Sequence, residues 1–67
     1  MATAKIIEIT STSKKSFDDA IEQGIDRANK TLDQVKGAWI EDMKVDVEGG
    51  KIVEYKVFMK VTFVLKA

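Results

Sequence analysis

The dipeptide Gly49-Gly50 constrains this chain more than any other feature. It separates two runs rich in β-branched and aromatic residues. Both central residues of a type I′ turn need positive φ, which glycine adopts without penalty. The spacing therefore predicts a hairpin closed by a two-residue loop. A register follows: Glu48 pairs with Lys51, Val47 with Ile52, Met43 with Lys56, Glu41 with Phe58, Ile40 with Met59 and Trp39 with Lys60. Side chains alternate along a strand, so this register sorts the hairpin into two faces. One carries Ala38, Ile40, Tyr55, Val57, Met59, Val61 and Phe63. The other carries Trp39, Glu41, Met43, Val45 and Val47, with Ile52, Glu54, Lys56, Phe58, Lys60, Thr62 and Val64 from the neighbouring strand.

Upstream, Lys5–Thr10 reads as a first strand, with Ile7 and Ile9 on one side, and the polar run from Ser11 to Ser16 reads as a connection. Ser16 is placed to cap a helix, with Asp19 three residues later at the capping-box position and Asp18 and Asp19 complementing the dipole. From Phe17 the apolar period changes. Phe17, Ala20, Ile21, Gly24, Ile25, Ala28 and Leu32 form one stripe of an amphipathic helix ending near Leu32–Gln34. A mid-helix glycine costs about 1 kcal/mol relative to alanine, and Gly24 on the buried stripe predicts a close approach of helix to sheet. The expected fold is α+β: a β-α-β-β protomer with a three-stranded antiparallel sheet and one helix across one face, a single domain over residues 1–67.

One helix covers one side of a sheet. The side bearing Trp39, Phe58, Met43 and several β-branched residues is too apolar to be left wet. A 67-residue chain is marginal alone, and small scaffolds recover stability from disulfides, a metal or oligomerisation. There is no cysteine and no histidine, which removes disulfides, the usual zinc sites and the commonest general base. Self-association is the expected remedy.

Other classes find little support. Eleven basic and eleven acidic residues cancel and alternate, so no polybasic patch addresses nucleic acid or an anionic membrane. The apolar runs are too short to span a bilayer and the N-terminal residues do not form a signal-peptide core, so the expectation is a cytoplasmic protein. Alternation sends Glu41 to one face and Asp42, Asp46 and Glu48 to the other, leaving no convergent metal cage in one chain. Ser11, Thr12 and Ser13 lack a neighbouring base, and no helix follows Gly49-Gly50 to make a phosphate loop. The helix N-terminus at Ser16, with Lys14 and Lys15, is a generic anion position read as a solvated loop. No catalytic residue and no metal ligand is assigned.

The chain nevertheless resembles a known family. Ile6-Ile7-Glu8-Ile9 followed by Ser11-Thr12-Ser13, then Ser16-Phe17 with Ala20-Ile21, Arg27-Ala28 with Lys30-Thr31-Leu32, Gly50-Lys51-Ile52, Tyr55-Lys56-Val57 and Val61-Thr62-Phe63 are similar, in order and spacing, to the dodecins. The resemblance implies a hollow homododecamer built from trimers that stores or sequesters flavin, riboflavin or FMN, without turnover. It also implies flavin pairs held at two-fold interfaces between tryptophans near the start of the second strand.

The residues depart from that pattern at one place. Counted without gaps from Thr31, the family's stacking position falls on Gly37, and the single tryptophan, Trp39, lies two residues later, on the same face but about 7 Å along the strand. A family polar position that contacts the flavin edge falls on Lys56. The flavin-binding candidates are therefore Trp39, Lys56, Gly37, Glu41 and Phe58. Three readings stay open: Trp39 stacks on flavin in a shifted pose, it packs at a subunit interface beside Lys60, or the assembly is structural or holds another ligand, a metal ion or a nucleotide-like cofactor.

Overall fold

The computed structural model describes residues 3–32 and 34–65. Its elements run β1 (Thr3–Ser13), α1 (Phe17–Leu32), β2 (Val35–Glu48) and β3 (Lys51–Leu65). The sheet is antiparallel in the order β1-β3-β2, so β3 is central and both β1 and β2 are edges. Gly49 and Gly50 close the hairpin at φ 58° and 78°, the conformation the sequence demanded.

The core forms where helix stripe meets sheet. Ala20 and Ala28 are buried against Val57, Met59 and Val61, with Ile7, Ile9, Phe17, Ile21, Ile25, Ala38 and Ile40 packed around them. The small residues let the helix lie low. A Cβ built on Gly24 would stand 2.5 Å from Met59 Cε and 3.0 Å from Ser11 Cβ, so the glycine is a contact requirement. Phe17 meets the Tyr55 ring edge-on, centroids 5.1 Å apart, which fixes the start of the helix over the sheet. The side chain of Leu32, the last position of the stripe, lies outside the described residues.

β1 is longer than its apolar run suggests. It continues through Ser11, Thr12 and Ser13 because β3 offers partners at Val57, Lys56 and Tyr55. Only Lys14, Lys15 and Ser16 connect it to the helix. Ser13 is buried at the corner; its hydroxyl donates to Asp19 Oδ2 at 2.6 Å and accepts from the Lys15 amide at 2.9 Å. Ser16 caps the helix as expected, its Oγ accepting from the Asp19 amide at 3.0 Å. Asp19 does not close a capping box. Its carboxylate turns to Ser13 and to Gln23 Nε2 instead, and the Ser13 hydrogen bond is the main reason its pKa falls below the ordinary 3.8.

The hairpin register holds beside the turn and from Gly37 to Ile40 and fails between them, and a further shift skips Lys36 between Val35 and Gly37. Glu48↔Lys51, Val47↔Ile52, Ile40↔Met59 and Trp39↔Lys60 pair as predicted. Between Ile40 and Asp42 the ladder skips Glu41, and between Asp46 and Val47 it skips Val53 on β3, so Met43 faces Val57 and Asp42 faces Phe58. A bulge inserts one residue and reverses the alternation beyond it. Met43 and Val45, paired with core-side Val57 and Tyr55, therefore lie on the helix side, and Val47 and Ile52 follow them. The assignment of these four to the face opposite the helix is corrected. Asp42, Lys44, Asp46 and Glu48 take their places there.

Candidate functional site

The sheet face opposite the helix is built from rows that run across all three strands. Alternation from the buried Val57, Met59, Val61 and Phe63 puts Lys56, Phe58, Lys60, Thr62 and Val64 of β3 on this face. The β1 register adds Ile6 beside Thr62, Glu8 beside Lys60, Thr10 beside Phe58 and Thr12 beside Lys56. From β2 come Gly37 beside Thr62, Trp39 beside Lys60, Asp42 beside Phe58 and Lys44 beside Lys56.

Trp39 dominates this surface. Its side chain is 71% exposed, on a face that no element of the chain covers. Gly37, two residues earlier on the same face, has nothing within 4 Å of where a Cβ would stand, so the sheet beside the indole is open floor. Lys60, paired with Trp39, sends its ammonium to Glu41 Oε2 at 3.4 Å. That contact fixes the bulged Glu41 on this face, and Phe58 lies half-buried in the next row.

The sequence-derived candidates therefore share one surface, with one of them set apart. Gly37, Trp39 and Phe58 lie in three successive rows, with Glu41 held beside Lys60 in the middle one. Lys56 lies two rows beyond Lys60, about 13 Å along the strand, where Asp46 engages it at 3.9 Å and also holds Lys44 at 3.5 Å. The three groups of these two contacts and the Lys60–Glu41 pair are part-exposed, so each pair contributes less than about 1 kcal/mol. Their effect is to neutralise the face rather than to stabilise it.

Glu8, Thr10 and Thr12 of β1 belong to this face and were not among the candidates. Pairing β1 to β3 so that Ile7 and Ile9 meet Val61 and Met59 would have found them. Asp42, Lys44 and Asp46 were out of reach, because the Glu41 bulge has no glycine or proline to announce it. The bulge also corrects the separation of carboxylates, since Glu41, Asp42, Asp46 and Glu48 now share one face. Even so, among the described residues no three acidic groups converge closely enough to hold a metal ion.

A β-α-β-β protomer, with a helix over one sheet face and an uncovered, indole-bearing opposite face, defines a class of small protein organised around that second face. The dodecin family profile matches residues 3–66. The chain belongs to the dodecin family. Among solved structures it is similar to dodecin from Streptomyces davaonensis, at 32% identity and a TM-score of 0.94, covering 98% of this chain and 97% of that one. A single-residue mutant of T. thermophilus dodecin superposes at a TM-score of 0.93 with 25% identity, covering all of both chains. A curated relative, calcium dodecin of Mycobacterium tuberculosis, is 32% identical over 68 residues, covering 98% of this chain and 93% of the relative. The crystal structure of that calcium-chelating antigen, described as having a novel calcium-binding site, matches at a TM-score of 0.83 with 28% identity, covering 96% of this chain and 91% of that one.

Proposed function

We propose that this chain is the subunit of a cytoplasmic, non-catalytic homododecamer that binds, stores or sequesters flavin on the face bearing Trp39. The observation that carries this reading is the uncovered Trp39 indole beside the open floor at Gly37. A planar ring laid there would contact the indole on one side, with Glu41, Lys60 and Phe58 at its margin. Thr62, paired with Gly37, lines the other edge. Bound flavin would supply a photoexcitable ring that a stacked indole quenches. The chain's own residues bind and orient that ring and exclude water from it; the composition offers no histidine or cysteine for acid–base or nucleophilic turnover. Absence of any described helix long and apolar enough to cross a membrane is compatible with the cytoplasm, and the family match over nearly the whole length supports one domain.

Flavin fluorescence tests the reading. Purified protein titrated into riboflavin or FMN is expected to quench emission strongly, and Trp39→Ala to abolish the quenching. Unchanged emission with protein and flavin both well above micromolar concentration refutes flavin binding. Light scattering tests assembly separately: a monodisperse 7.5 kDa species at low micromolar concentration refutes the homododecamer.

A second reading, calcium binding, is favoured by the calcium dodecin relative and by the bulge that places Glu41 and Asp42 side by side. Hard cations take six or more oxygens, so such a site would gather carboxylates from more than one copy. Calorimetric titration with Ca²⁺, repeated on Asp42→Asn, distinguishes it: heat lost in the variant supports it, and no heat from the native protein refutes it.

A further inference from the structure

The helix side of the sheet carries a recess of its own, away from Trp39. Where α1 crosses β1, an open groove of about 350 Å³ runs between the helix and the outer edge of the strand. That volume lies within the range of small-molecule sites, about 300–1,000 Å³. Gln23, Gly24 and Arg27 form the helical wall, and Thr10, Ser11 and Thr12 the strand wall. Gly24 keeps the Ser11 hydroxyl uncovered, since a Cβ there would stand 3.2 Å from Ser11 Oγ. β1 is an edge strand, so no further strand of this chain lies beyond Thr10 and Thr12 to close the groove.

This groove is lined by hydrogen-bond donors and by no acid. Arg27 is the single arginine among the eleven basic residues. Lys30, Lys44, Lys56 and Lys60 each meet a carboxylate, whereas among the described residues Arg27 meets none. Its neighbours three and four positions away on the helix, Gln23, Gly24, Lys30 and Thr31, carry no negative charge. The nearby acids are engaged elsewhere. Asp19 accepts from Ser13 and Gln23, Asp26 holds Lys30 at 3.2 Å, and Glu8 lies on the opposite sheet face beside Lys60. A guanidinium offers its N–H groups as a planar fork that fits two oxygens of a carboxylate or a phosphate. A carboxylate is used up by that fork. The Ser11 hydroxyl and the second Gln23 amide hydrogen are then left over, and a phosphate has further oxygens to accept from them.

We propose that the groove between Arg27 and Ser11 binds a small phosphate monoester, on the side of the sheet opposite Trp39. The Arg27 fork takes two phosphate oxygens, and Ser11 and Gln23 donate to the remainder. The rest of the groove, which a phosphate group alone does not fill, receives the organic body of the ester. The site is independent of the flavin reading, because Trp39 and Arg27 lie on opposite sides of the sheet.

Calorimetric titration of the full chain at constant ionic strength tests this, with glycerol phosphate, inorganic phosphate and acetate as probes. Glycerol phosphate is expected to bind saturably and more tightly than the other two. Arg27→Gln should weaken it about tenfold or more, with the particle mass and far-UV circular dichroism of the native protein. Arg27→Lys, which keeps the charge and loses the fork, should restore only part of the affinity. No saturable heat from the native protein, equal affinity for acetate or inorganic phosphate, or unchanged binding in the folded Arg27→Gln variant overturns the proposal. A fall in particle mass in that variant also overturns it, because the partner of Arg27 is then a carboxylate of a neighbouring copy. If Arg27→Gln does not fold, Ser11→Ala decides by the same criterion. Riboflavin quenching by the Arg27→Gln variant should match that of the native protein, so either reading can fail without the other.

Discussion

The contact of Gly24 with Met59 makes a quantitative prediction. Gly24→Ala gains about 1 kcal/mol of helix propensity. Against that, the new Cβ would stand 2.5 Å from Met59 Cε and 3.0 Å from Ser11 Cβ. Met59 is only 1% exposed, so its flexible tip must be displaced within the core rather than into solvent. Overpacking of this kind costs about 1–3 kcal/mol, and the net effect is a loss of about 0–2 kcal/mol. Met59→Ala alone should cost about 2–5 kcal/mol through lost burial and the cavity left behind. In that background the shortest contact of Gly24→Ala disappears, the added methyl enters the cavity, and the propensity gain survives. The double variant should therefore be more stable than the sum of the singles by about 1–2 kcal/mol. Urea unfolding followed by circular dichroism measures this, at one fixed chain concentration because assembly makes stability concentration-dependent. Additivity within about 0.5 kcal/mol would show that helix and sheet are not held apart by this pair, and the close-approach argument would be wrong.

Further expectations follow from the corners of the fold. Ser16→Ala removes the helix cap and should cost about 1 kcal/mol in the same unfolding assay. Asp19 has its pKa lowered chiefly by Ser13, so its contribution is complete above its unfolded pKa and is lost as pH falls through the lower folded value. In Ser13→Ala the NMR titration of Asp19 should move back toward 3.8, and the acid-side loss of stability should shrink. An unmoved titration would assign the shift elsewhere. Gly49→Ala and Gly50→Ala each force a Cβ into positive φ and should each cost about 1–2 kcal/mol; a neutral result at both would mean the turn adopts another type.

The sequence read most clearly wherever one residue type had one physical use. Gly49-Gly50 could only turn, the Phe17-to-Ala28 stripe could only be one helix face, and Gly24 on that stripe announced contact. Alternation from Val57 to Phe63 correctly marked the buried side of β3. What escaped were effects of pairing rather than of residue type. Ser11 and Ser13 are poor strand formers that become strand because β3 extends past them. Glu41 and Val53 are ordinary strand residues, and nothing local distinguishes a bulged glutamate from a paired one. The candidate surface was thus found at Gly37, Trp39, Glu41, Phe58 and Lys56 but misread beyond Glu41, where charges replaced the expected apolar side chains.

The skipped residues Glu41 and Val53 act as a matched set. One extra position on each strand leaves the turn and the Gly37–Ile40 pairs in alignment, yet shifts the pairing of Asp42 to Asp46 by one residue and turns Met43 and Val45 to the helix side. Pairing Glu41 with Phe58 and Val53 with Asp46, with no residue removed, would close the same loop on the same base and return the hairpin to regular alternation. Met43, Val45, Val47 and Ile52 would then join Trp39, and Asp42, Lys44 and Asp46 would leave it. This hairpin thus holds a charged and an apolar version of the face one register step apart, with no change to the turn.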